Sequence, residues 1–184
     1  VMAEISKQLG KDGNVYRQEY EKLTAAIEKF FWDEEKGAYI DSFTSGKRNV
    51  TRHANIFAIL FDIADKQKQE KILTNVLEND EIPAITTPYF NFFELDVLCQ
   101  MGKLTEVLDK IRSYWGGILD LGAVTFWEEY DPSVPKEEQY DMYGDHFGKS
   151  LCHAWAASPI YFLAKYFAGL DLVNKDGVTY VLKP

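Results

Sequence analysis

The chain has 184 residues, 46% of them apolar and 15% aromatic, and a net charge of −9. That length and apolar content suit a folded domain with a real core and argue against intrinsic disorder. The negative charge argues against nucleic acid as a partner, and no apolar run is long and charge-free enough to span a bilayer.

Residues 1–9 carry Met2, Ile5 and Leu9 at helical spacing before a Gly-Lys-Asp-Gly break. They lack the basic region and apolar run of a signal peptide. A soluble chain is expected, exported only if a signal lies upstream. The spacing predicts an amphipathic helix over 14–31, with Tyr16, Tyr20, Leu23, Ile27, Phe30 and Phe31 on one stripe. A hairpin follows over 33–41, turned by Glu35-Lys36-Gly37. The helix expected over 52–64 is apolar on nearly every side, interrupted past its first turn only by Asn55 and Asp62. A helix with so little polar face is a buried one.

Residues 67–78 bury one edge only, through Ile72, Leu73, Val76 and Leu77. Thr87-Pro88 is a helix start, a cap followed by Pro at the first position. The helix it opens, 88–101, is again apolar almost all round and ends at Gly102. Residues 103–115 read as amphipathic, 116–145 as a long loop, and 147–167 as a last helical region that Ser158-Pro159 kinks or restarts. The alternation in 177–184 is that of a strand without a partner among the helices. Cys99 and Cys152 sit in apolar helical patterns and are expected to be buried free thiols.

Mostly apolar helices alternate with amphipathic ones. Links after an apolar helix are minimal, and links before one are long. A ring of helical hairpins, with a covered inner layer and a half-wet outer layer, produces both regularities. The fold class expected is therefore all-α: half of a six-hairpin (α/α)6 toroid, about three hairpins, with a short C-terminal β-strand. In domain terms, 1–170 would be the C-terminal half of such a barrel, and 171–184 a linker and strand leading to a β-domain. No fixed period supports the competing helical repeat array. Every long loop lies at the N-terminal end of an inner helix, so the pocket should open on that face.

Two constellations could carry chemistry. In 122–132, Phe126, Trp127 and Tyr130 surround Glu128, Glu129 and Asp131. Aromatic faces stack on sugars, and carboxylates activate water or protonate a leaving oxygen; the same acids would also suit a solvated loop. In 145–155, His146, Ser150 and His153 would share one face of a helix, either binding sugar hydroxyls or as satisfied histidines. Seven-residue spacing is too long for two ligands on one helix to share a metal, and the only other histidine is His53, so no metal is expected; phosphate loops and dinucleotide fingerprints are absent, so no cofactor is expected either. Asn91 and Glu94 interrupt an inner helix, and Glu94 is read as paired with a base such as Arg52 or Lys149.

The run Thr125-Phe126-Trp127-Glu128, then Ser150-Leu151-Cys152-His153-Ala154-Trp155, and more loosely Thr87-Pro88-Tyr89-Phe90, resembles the α-L-rhamnosidases of glycoside hydrolase family 78. The likeness covers residues 14–184. It implies a six-hairpin barrel that removes terminal α-L-rhamnose from glycosides or polysaccharides with inversion at the anomeric carbon. It maps the general base to Glu128, with Glu129 as the fallback, a sugar contact to His153, and a pocket position to Trp127. The family's general acid matches no position here and is expected in an upstream half, so the 184 residues alone should be inactive. Were they active, Asp141 and Asp145 would be the first candidates for the acid. A truncated barrel is also expected to dimerise through exposed inner-helix faces, to aggregate, or to exist only as part of a longer polypeptide. Two alternatives stand beside this reading: a six-hairpin glycosidase for another sugar, and a non-catalytic helical scaffold or sugar-binding relic.

Overall fold

The computed structural model describes residues 1–172 and 180–183. They divide between two compact units, Val1–Pro83 and Ala84–Pro184. Among the described residues, no helix is long and apolar enough to cross a membrane.

In the first unit, α1 (Met2–Gln8) and α2 (Asn14–Phe31) precede a hairpin of β1 (Trp32–Asp33) and β2 (Ala38–Tyr39), then α3 (Arg52–Leu60) and α4 (Lys66–Ile72). A π-helical turn, Leu73–Leu77, extends α4. The hairpin is the expected one, antiparallel, with Trp32 opposite Tyr39 and Asp33 opposite Ala38. The core gathers Tyr39, Ile40, Ile56, Ile72 and Val76. Asn55, the polar break in an otherwise apolar helix, ties β2 to α3. It accepts from Tyr39 N–H at 2.8 Å and donates to Tyr39 O at 2.9 Å and Thr51 O at 2.8 Å. Arg52 is buried and donates to Leu77 O at 2.8 Å and Asn79 O at 3.3 Å.

Helix α3 stops four residues short of the expected 64. Asp62 takes a left-handed φ of 55°, and the amides of Ile63 and Ala64 fold back onto Ala58 O at 2.9 Å. Asp tolerates that conformation better than most side chains. The stripe of α2 is less covered than its pattern implies: no residue of α2 is buried, and Leu23 is 61% exposed.

The second unit opens with α5 (Pro88–Gln100) and α6 (Leu104–Lys110), joined through Gly102 in the left-handed region. Thr87 is extended before Pro88, as a helix start requires, but its side chain makes no capping bond. After α6 the chain stays helical, through a π-helical turn (Ile111–Trp115) into α7 (Gly116–Asp120), so the long loop starts five residues later than expected. Burial of Trp115 and Ile118 outweighs the low helix propensity of Gly116 and Gly117. Glu94 is fully buried and pairs with Lys110 at 2.8 Å; the structural pairing was anticipated, its partner was not.

The helix expected over 147–167 forms only in its second half. A 3-10 turn (Ala154–Ala156) leads into α8 (Ser158–Phe162) and a π-helical turn (Leu163–Phe167). Phe162 is fully buried, its ring 5.1 Å from that of Phe92 on α5. The terminal strand does have a partner: β4 (Tyr180–Leu182) pairs antiparallel with β3 (Leu170–Leu172). The remainder of the strand expected over 177–184, residues 177–179 and 184, lies outside the described residues, apart from residue 183, which follows β4. Cys99 is buried as expected, whereas Cys152 is exposed, because its segment is not helical.

Candidate active site

The loop from 121 to 153 is organised by backbone bonds between its two ends. Glu128 N–H donates to Ser150 O at 2.9 Å, and His153 N–H donates to Phe126 O at 2.7 Å. The Thr125 hydroxyl donates to Leu151 O. Lys149 N–H donates to Tyr140 O at 3.2 Å. These sideways bonds consume the amides of Lys149 and His153 and the carbonyls of Ser150 and Leu151, groups that a helix over 147–153 would need, which is why none forms there. The two sequence motifs, 22 residues apart at Glu128 and Ser150, thus become neighbours.

Glu128 is 8% exposed. Its Oε2 accepts from Ser150 N–H at 3.0 Å, and its Oε1 accepts from the Tyr143 hydroxyl at 2.9 Å. His153 Nδ1 lies 3.7 Å from Oε2. The Ser150 amide holds the carboxyl below its ordinary range. Burial pushes the other way, and the Tyr143 hydroxyl, His153 and Lys149 add to the lowering. The result is an ionised carboxylate in a mostly covered setting.

Glu129 turns to different partners. Its Oε1 accepts from the Thr86 hydroxyl at 2.8 Å, and Lys149 Nζ lies 3.9 Å from Oε2. Burial lowers the pKa of that lysine, against the pull of Glu129 and other carboxylates. Tyr130 N–H donates to Thr86 O at 3.0 Å, and the Tyr114 hydroxyl donates to the same carbonyl at 2.6 Å. Thr86 lies two residues before the start of α5, so Glu128–Tyr130 is fastened at the N-terminal end of that helix, the face expected from loop lengths.

His153 stacks on Trp155 with ring centroids 4.1 Å apart, and its Nδ1 is buried without a hydrogen-bond partner among the described residues. Beside it opens an apolar cavity of about 560 Å³, walled by Trp115, Ile118, Leu119, Phe126, Cys152 and His153. Trp127 is buried inside the loop against Tyr140, 5.5 Å between ring centroids, and does not line that cavity. His146 does not share a helix face with Ser150 and His153. Its Nδ1 sits 2.5 Å from Asp141 Oδ1 and its ring lies against Phe147.

The sequence reading missed Tyr143. It stands at the tip of a turn, Met142 to Asp145, closed by reciprocal backbone bonds of 3.0 Å. Positive φ at Tyr143 (56°) and Gly144 (80°) makes it a type I′ turn. The Tyr-Gly pair was the available signal, a weak one because type I′ turns favour Asn or Asp at the first position.

The family model for the bacterial α-L-rhamnosidase six-hairpin glycosidase domain matches residues 1–167. The chain belongs to that family. Two solved structures resemble this six-hairpin glycosidase domain. One is described as a rhamnosidase from Klebsiella oxytoca with rhamnose bound, at 31% identity and a TM-score of 0.74 over 84% of this chain. The other is a family 78 rhamnosidase of Bacillus sp. GL1, at 27% identity and a TM-score of 0.72 over 86% of this chain. The rhamnosidase-type domain described here spans 29% and 17% of those two chains. No curated protein matches it.

Proposed function

We propose that this chain supplies the base side of an inverting α-L-rhamnosidase active site, with Glu128 as general base and His153 as a sugar contact. The observation that carries the reading is the state of Glu128: ionised, nearly buried, oriented by Ser150 N–H and the Tyr143 hydroxyl, and faced by a His nitrogen. In the step this supports, a water attacks the anomeric carbon and gives its proton to Glu128. The glycosidic C–O bond breaks, and a second carboxyl group protonates the departing oxygen. Inverting pairs stand roughly 6.5–9.5 Å apart. The reading assigns the acid to a part of the enzyme outside these residues, in keeping with the fraction of the two rhamnosidase chains that they span.

Within the pair of adjacent acids, Glu129 is spoken for by Thr86 and Lys149, which favours Glu128 as the base. In the full-length protein, Glu128→Gln should lower hydrolysis of an aryl α-L-rhamnoside by about 100- to 10,000-fold with the fold intact. Glu129→Gln should lower it far less. Nuclear magnetic resonance of the first-formed sugar should show the β-anomer. Near wild-type turnover by Glu128→Gln would sink the assignment.

A further inference from the structure

Tyr143 has a side chain placed against expectation. The residue is 79% exposed, yet its hydroxyl reaches Glu128 Oε1 at 2.9 Å. It does so from a left-handed backbone conformation that a bulky side chain seldom adopts. The turn carrying it is braced on both sides. Gly148 N–H donates to Asp145 O at 3.1 Å, Phe147 N–H donates to Asp145 Oδ1 at 3.1 Å, and His146 pairs with Asp141. The turn also rests on bare backbone: a Cβ at Gly148 would come within 2.1 Å of Met142 O. A strained tyrosine that is mostly in water adds little to a core. What the arrangement delivers is one phenolic hydroxyl at one carboxylate oxygen.

We propose that Tyr143 is a positioning residue, its hydroxyl fixing the Glu128 carboxylate in the orientation from which it takes the water's proton. This rests on Glu128 being the base. Ser150 N–H holds Oε2 from the backbone, and Tyr143 holds Oε1 from the opposite end of the carboxylate, so the side-chain torsion is set by two donors. Each oxygen keeps a second lone pair for the water. The titratable groups facing Glu128 are His153 and Lys149, both of which favour its ionised form, while Glu129 bears on the Tyr143 hydroxyl. Tyr143 is the donor that can be removed without touching the backbone.

The test compares wild type, Tyr143→Phe, Gly148→Ala and Glu128→Gln in the full-length protein. Two readouts are used: the titration of the Glu128 side-chain carbon in 13C-glutamate-labelled protein, assigned by its loss in Glu128→Gln, and the pH profile of kcat on an aryl α-L-rhamnoside. Tyr143→Phe should move the Glu128 titration and the acidic limb of kcat to higher pH and lower kcat about tenfold, the scale of one lost hydrogen bond to a charged group. KM should change little. Gly148→Ala should reproduce the shift with the hydroxyl still present, because it unseats the turn. An unmoved titration in both variants overturns the inference, as does a fall in kcat with an unmoved acidic limb, which marks a merely structural tyrosine. Persistent turnover in Glu128→Gln overturns the base assignment instead, and is read separately from the titration.

Discussion

Trp115→Phe tests whether the segment after His153 is held by a single hydrogen bond. The indole Nε1–H donates to Ala156 O at 2.8 Å, with Trp115 7% and Ala156 0% exposed. Phe keeps an aromatic ring and drops the donor. Ala156 O then loses that partner in a buried place, which costs about 1–3 kcal/mol. The smaller ring leaves a gap worth roughly 1 kcal/mol more. A local loss of about 2–4 kcal/mol speeds opening by roughly 30- to 1,000-fold, at about 1.4 kcal/mol per factor of ten. Hydrogen exchange on peptides spanning 154–160 reads this directly. The amides of Ala156, Ala157 and Ile160 close the turns there, at 3.1, 3.2 and 3.2 Å, and should all lose protection. Trp155 sits in the same turn and stacks on His153, so KM for a rhamnoside should rise as well. The Glu128 titration should stay put, since Ser150 and Tyr143 hold that carboxylate independently. Unchanged exchange in this segment would refute the reasoning, because the turn would then owe nothing to the indole.

On the proposed assignment, His153→Ala removes a sugar contact from the cavity wall but leaves the base, so KM should rise roughly 3- to 30-fold with kcat changing less; a collapse of kcat at constant KM would count against a binding role. The acidic limb of kcat/KM should lie below the usual glutamate value of about 4.3, because Ser150 N–H holds the Glu128 carboxyl down. The sign carries over to stability. A depressed folded pKa contributes stability that is present above the unfolded value and is lost as pH falls through the folded one. A limb at or above about pH 5 would contradict the hydrogen-bonding pattern.

The mainly helical character was legible because burial writes itself into helix patterns. The nearly unbroken apolar runs around Ile56 and Leu95 gave α3 and α5, and the loop lengths gave the face on which Glu128 is fastened beside Thr86. The Glu128 segment was visible as acids among rings. Illegible from periodicity was the stretch 147–153, whose helical spacing is real but whose amides bond sideways to Phe126, Glu128 and Tyr140. Such pairing depends on what the loop meets in space, which no local pattern records. The same holds for α7, where Gly116 and Gly117 read as a stop yet continue the helix, and for β3, which is recognisable only through β4. Tyr143 escaped notice because its role comes from an unusual backbone angle, not from its neighbours in sequence.

The stitching of Glu128 to Ser150 has a consequence for how such a domain can diversify. The 21 residues between them leave and re-enter at points only a hydrogen bond apart, 2.9 Å from N to O. Most of that excursion is tied down, by Thr86 at Glu129 and Tyr130 and by Glu128 at Tyr143, and only its uncovered part is free to vary in length. Doubling a flexible loop costs only about 0.6 kcal/mol in closure entropy. The stretch 131–138 carries two prolines and a 3-10 turn with no buried residue. Segments exchanged or lengthened there would leave the Glu128–Ser150 stitch and the Tyr143 turn in place. The chain thereby separates the part that must not move from the part that can be rewritten.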